Sequence, residues 1–150
     1  MKGFSRMHTG QAIILLVLGI LYPTWERLLP GDWRFYTSGE FGSYLYDAGN
    51  VTYLPNSIVR VSQKLVLSDR GTATLVREIG EKYEKVKEII TIREISCEVN
   101  KIHILGLAYV SDNGRVIKRE SYEPIDWDPI IPDSVDAILY HAVCEPAQLF

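Results

Sequence analysis

Glu94-Ile95-Ser96-Cys97-Glu98-Val99-Asn100-Lys101-Ile102-His103-Ile104-Leu105-Gly106-Leu107-Ala108-Tyr109-Val110-Ser111-Asp112-Asn113-Gly114-Arg115-Val116-Ile117-Lys118-Arg119-Glu120-Ser121-Tyr122 reads as a β-meander. Cys97 ends one strand, Lys101 to Val110 form the next, Asp112-Asn113-Gly114 turns the chain, and Arg115 to Tyr122 return. The turn is fixed by Asn-Gly, a pair that tolerates positive φ at both central positions of a tight hairpin. Cys97 matters beyond the sheet. The one other cysteine, Cys144, falls on an amphipathic C-terminal stretch, and a bond between the two would fasten a helix to the strands.

Upstream of the meander, Asp32 to Thr37 alternates with aromatic residues and Ser43 to Asp47 is rich in tyrosine, so a hairpin opens the domain. Val51 to Leu54 is a short extended piece. Ser57 to Leu67 has the clearest period of two: Val59, Val61, Leu65 and Leu67 share one face while Arg60, Ser62 and Lys64 share the other, with Gln63 interrupting the apolar side. Asp69-Arg70-Gly71 ends that strand, and Leu75, Val76, Ile79 and Tyr83 at helical spacing predict a helix over Thr72 to Glu84 lying on the sheet. Glu88 to Val99 carries isoleucine on both parities, as does Lys101 to Val110 with its mixed apolar residues. Both patterns fit either a central strand covered on two faces or a bulge that shifts phase.

Downstream, Glu123 to Pro132 contains three prolines, which deny donors to a ladder and predict a loop laid across the domain. Asp133 or Ser134 then caps a helix on which Val135, Ile138, Leu139, Ala142 and Val143 form the buried stripe. Pro146 should prevent much further extension, leaving Ala147 to Phe150 as a frayed tail. The predicted class is α+β: an antiparallel sheet of about six strands, a mid-chain helix, and a C-terminal helix tethered by a disulfide.

The chain has 150 residues, 47% of them hydrophobic, enough for one domain with a real core, placed at residues 32–150. Its 16 basic and 19 acidic residues are dispersed, with no basic run of the kind that holds nucleic-acid phosphates. Nucleic acid is therefore not expected as a partner. At the N-terminus, Lys2 and Arg6 precede an apolar run from Ala12 to Tyr22, which Pro23 breaks. That pattern fits an export signal and is short of the roughly 20 residues of a bilayer-spanning helix. An uncleaved signal-anchor, extended at both ends, is the alternative, so residues 1–31 are read as an export signal or anchor plus a short linker. Membrane contact is expected through that segment alone. Outside the cytoplasm, Cys97 and Cys144 form a disulfide by default, and two buried reduced thiols are the alternative. Closing a loop of about 48 residues restricts the unfolded chain by roughly 4 kcal/mol in the loop-entropy picture.

No catalytic constellation emerges from the residues. His8, His103 and His141 have no ligand spacing around either cysteine, so no metal or other cofactor is expected, and His103 and His141 read as surface or hydrogen-bonded side chains. Asp126 and Asp128 flank Trp127 and suggest an acid/base pair or a calcium loop, but two acids among prolines more often form turns. Trp33, Phe35, Tyr36, Tyr44, Tyr46 and Tyr53 cluster early in the chain. Cross-strand packing accounts for such a cluster, and an exposed partner-binding surface is the competing reading.

Several stretches resemble the surface-adhesin protein E family of small exported bacterial domains. They are Trp33 to Tyr36, Asn56 to Val61, Glu94 to Cys97, Tyr109 before the Asp112-Asn113-Gly114 turn, Ser121-Tyr122, and Trp127 to Pro132 leading into Leu139 to Cys144. The likeness spans about Asp32 to Cys144. It implies an antiparallel sheet with its C-terminal helix held by a disulfide, exposure at the cell surface, and binding of host matrix proteins in the best-known members. Ser62 stands where the family has an aromatic residue and Asp133 where it has glycine, and there is no cysteine for lipid attachment. The expected function is a non-enzymatic, adhesin-like protein-binding domain at the cell envelope or surface. The alternative is a structural envelope component anchored by its N-terminal helix.

Overall fold

The computed structural model describes residues 31–123 and 126–148. The export or anchor segment expected over residues 1–31 lies, apart from Gly31, outside the described residues. Eight strands form one antiparallel sheet: β1 (Trp33–Gly39), β2 (Gly42–Asp47), β3 (Thr52–Leu54), β4 (Ile58–Leu67), β5 (Val86–Ser96), β6 (Lys101–Ser111), β7 (Val116–Ser121) and β8 (Asp128–Pro129). The order is β1-β2-β4-β5-β6-β7, with β3 beside β4 and β8 beside β6. Helix α1 (Asp69–Ile79) follows β4 and helix α2 (Val135–Gln148) ends the described chain.

The two strands beyond the expected six are the shortest. Thr52–Leu54 is the extended piece already visible in the sequence. Asp128–Pro129 was expected to be loop, yet it pairs with Ile102 and Lys101. The ladder survives because Pro129 sits at an edge where no donor is needed, and the next residue, Ile130, donates its N–H to Asn100 O at 3.0 Å.

Both readings left open for the mixed-parity strands apply. β5 lies between β4 and β6, so it is central. β6 also carries a bulge: Arg93 pairs with Ile104 and Ile92 with Gly106, which leaves Leu105 without a partner on β5. That extra residue switches phase, so Ile102 before it and Leu107 and Tyr109 after it reach the same side of the sheet. β4 needs no such device, and its Val59 and Val61 are buried on one side as expected.

Both helices cover that side. Under α2, Val59, Val61, Ile95, Ile102, Leu139, Val143 and the two cysteines form one core cluster. Under α1, Tyr83, Val86 and Tyr109 form a second, packed by Leu67, Leu75 and Leu107. The mid-chain helix is shorter than its apolar spacing predicts. Ser68 accepts from the Gly71 N–H at 3.0 Å and starts the helix three residues early. Gly80, at φ 124°, ends it, a conformation open to glycine and strained for other residues. Tyr83 therefore reaches the core from a separate 3-10 turn, edge-on to Tyr109 at 4.9 Å.

Helix α2 is capped by Ser134, whose Oγ accepts from the Ala137 N–H at 3.2 Å. Asp133 before it adopts φ 62°, the left-handed region in which the glycine expected there from the family resemblance would be unstrained. Asp133→Ala should cost about 1 kcal/mol in urea unfolding, whereas Asp133→Gly should leave stability unchanged or slightly raised. Equal losses in the two variants would mean that the aspartate side chain, and not the backbone, matters there. The helix continues past Pro146 to Gln148, two residues beyond the expected stop. A proline in a last turn forfeits one donor and can leave the helix otherwise intact.

Candidate functional site

Cys97 and Cys144 are bonded, with Cα atoms 5.6 Å apart, and both lie inside the cluster beneath α2. Tyr140 adds a second link by donating its hydroxyl to Cys97 O at 3.0 Å. The predicted pair is thus brought together and fastens the C-terminal helix to the end of β5.

The early aromatic residues divide. Tyr36, at a bulge of β1, packs against Tyr44 and Tyr46 at 6.2 and 6.1 Å. Trp33 lies under the Lys64 ammonium, 4.2 Å from the ring centre. Phe35 and Tyr53 remain 62% and 57% exposed, so these two are available to a partner.

The sequence did not point to the polar network between the two core clusters. Gln63, which interrupts the apolar face of β4, is 5% exposed and acts as its hub. Its Nε2 donates to the Tyr36 hydroxyl, and its Oε1 accepts from Thr91 Oγ1 and Arg93 Nη1, each at 3.0 Å. Arg93 Nη2 donates onward to Asp136 Oδ1 at 2.9 Å, in the first turn of α2. Burial pushes the Tyr36 phenol well above its ordinary range, so it stays protonated. A cleft of about 250 Å³ opens beside this network, lined by Tyr44, Leu65, Ile89 and Val135 together with its polar members.

A second polar cluster occupies the opposite face. Arg60 donates to Glu94 Oε2 through Nε at 3.1 Å and Nη2 at 2.7 Å, and His103 Nε2–H donates to Glu94 Oε1 at 2.8 Å. Trp127 stacks on the His103 ring with centroids 3.7 Å apart. His103 is thus a buried, hydrogen-bonded residue, and its Nδ1 has no partner among the described residues. Burial alone would raise the Glu94 carboxyl, but the hydrogen bonds from His103 and Arg60 and the Arg60 charge hold it below its ordinary value. A carboxyl depressed in this way contributes stability above its unfolded value of 4.5, and that contribution is lost as pH falls through the lower folded value. The melting temperature should therefore drop on acidification below about pH 4.5, and Glu94→Gln should flatten that limb of the curve. Parallel pH profiles for the two proteins would show that another group controls acid stability.

His141 is exposed and hydrogen-bonds Glu145 one turn on, at 2.7 Å. Asp126 and Asp128 are exposed on either side of Trp127, and no third potential metal ligand joins them among the described residues. The buried Asp47 carboxylate accepts from the backbone of Asp32 and Gly49 and from the Asn50 side chain, a turn-fixing role. Among the described residues no helix is long and apolar enough to cross a membrane.

The architecture is that of a small antiparallel α+β domain whose last helix is clasped by a disulfide. Residues 37–145 match the family model of surface-adhesin protein E, and the chain belongs to that family. Membership implies an adhesin-like protein at an extracytoplasmic or surface location. No curated protein and no solved structure matches the chain.

Proposed function

We propose that this chain is exported and acts outside the cytoplasm as a non-enzymatic domain that binds a protein partner through exposed aromatic side chains near β1 and β3. The observation that carries the reading is the Cys97–Cys144 bond in a chain of the surface-adhesin protein E family. Such a bond persists in an oxidising compartment. Phe35 and Tyr53 supply large apolar area with few rotatable bonds, the kind of side chain on which partner binding concentrates.

The basic residues Lys2 and Arg6 and the apolar run Ala12 to Tyr22 support export. Mass spectrometry of the mature protein distinguishes the two modes of attachment. A start between Gly19 and Asp32 means a released domain, and an intact N-terminus means an anchored one. For binding, the full chain should capture a protein from an envelope extract, and Phe35→Ala with Tyr53→Ala, two residues that the strand register sets on opposite faces of the sheet so that either can make the contact, should reduce that capture about tenfold or more without moving the melting temperature. Undiminished capture by the double variant would remove these residues from the interface.

A further inference from the structure

The cleft beside the Gln63 network is built from β2, β4, β5 and the first turn of α2, and its volume of about 250 Å³ suits a ligand the size of one sugar ring or one amino acid. We propose that it binds a neutral, hydroxyl-rich ligand of the class of a single hexopyranose ring.

Charge selects the class first. Arg93 and Asp136 face each other at 2.9 Å on the same wall, so their charges are already paired. An anion entering the cleft gains Arg93 but meets Asp136, and a cation meets the reverse. Hydrogen-bond capacity points the same way. Gln63 Oε1 is occupied by Thr91 and Arg93 and its Nε2 donates to Tyr36, which leaves the second Nε2 hydrogen. Asp136 retains its other oxygen, Arg93 further N–H groups, and Tyr44 a hydroxyl that burial and the Asp136 charge keep protonated. Donors and acceptors are therefore both present in the lining. Sugar hydroxyls each donate and accept, so they can use both kinds of group at once, where a simple anion or cation can use only one.

The remaining lining is apolar: Leu65, Ile89 and Val135 offer a surface for the C–H face of a pyranose ring. The polar groups are also fixed in advance. Arg93 is held from two sides by Gln63 and Asp136, and Thr91 by Gln63, so little side-chain freedom is lost on binding. The cleft does not include Phe35 or Tyr53, so its test is independent of the protein-capture assay.

The test is amide NMR of the oxidised full chain titrated separately with the neutral methyl glycosides of glucose, galactose and mannose, and with glucuronate, glucosamine and glycine. At least one neutral glycoside should give saturable shifts at Thr91, Arg93 and Asp136 in the millimolar range. Tyr44→Phe and Thr91→Val should each weaken that binding about tenfold while the rest of the spectrum is retained. Should Thr91→Val disturb the fold, Tyr44→Phe, which removes one hydroxyl from a partly buried ring, decides alone. Absence of saturation with every neutral glycoside, preference for a charged or zwitterionic probe, or unchanged affinity in Tyr44→Phe would each overturn the proposal.

Discussion

Replacing Cys144 by Ala, or reducing the native protein, lowers the free energy of unfolding by about 4 kcal/mol. The bond joins residues 47 apart in sequence, and opening it returns the entropy of that loop to the unfolded chain. A loss of this size takes a large share of the roughly 5–15 kcal/mol that holds a small domain folded. The helix has other attachments, since Leu139 and Val143 remain buried against Val59, Val61 and Ile95 whether or not the sulfurs are joined. The reduced protein should therefore still fold at moderate temperature, with its urea midpoint shifted down and its secondary structure kept. Urea titrations with and without reductant, followed by circular dichroism, measure the difference. A shift worth less than about 1 kcal/mol would mean that the unfolded chain gains little freedom from the cut, as when residual structure already holds its ends together.

What could be read in advance was whatever repeats within a single element. The alternation of Val59 and Val61 in β4 and the stripe Leu139 to Val143 in α2 are local patterns, and the fold follows them. The chain also turns at Asn113-Gly114, but only Gly114 takes positive φ, at 80°, and the Gly114 N–H donates to Ser111 O, so the turn is a residue longer than the two-residue form the pair suggests. Features decided by one residue or by partners far along the chain were not legible. The extra Leu105 in β6 shifts phase without leaving a distinctive sequence mark, and β8 is two residues long, too short to show any period. Gln63 reads as an interruption of an apolar face, and Arg93 carries no signal of its own within a β-branched run. Their meaning depends on register, because pairing Gln63 with Thr91 and Val61 with Arg93 places those side chains together on one side of the sheet. Asp136 then meets Arg93 from a helix that begins more than forty residues later. His103 and Trp127 are a similar case, since their stacking depends on where a proline-rich loop crosses the strands. The early aromatic group invited a single role and received three: packing for Tyr36, Tyr44 and Tyr46, a cation contact for Trp33, and exposure for Phe35 and Tyr53.

Gln63→Leu tests whether the polar hub beneath α2 is structural, and it should destabilise the domain by about 3 kcal/mol even though it buries an apolar residue of similar size. The loss arises from what is left behind. Tyr36 forfeits the donor to its buried hydroxyl, Thr91 forfeits its acceptor, and Arg93 loses one of the two groups that hold its guanidinium. Arg93 can tolerate this poorly, because its Nε is already buried with no partner among the described residues. Gln63→Glu separates hydrogen bonding from packing. A carboxylate at this position still accepts from Thr91 and Arg93, and the protonated Tyr36 phenol can reverse its role and donate to it. Hydrogen bonding as the dominant effect predicts that Glu retains most of the stability at neutral pH while Leu loses it. Packing as the dominant effect predicts the opposite order, with Leu tolerated and the buried charge rejected. Thermal unfolding of the three proteins in the same buffer reads the order directly, and because Arg93 also orients Asp136, the variant that loses the hub should lose the ordered wall of the cleft as well.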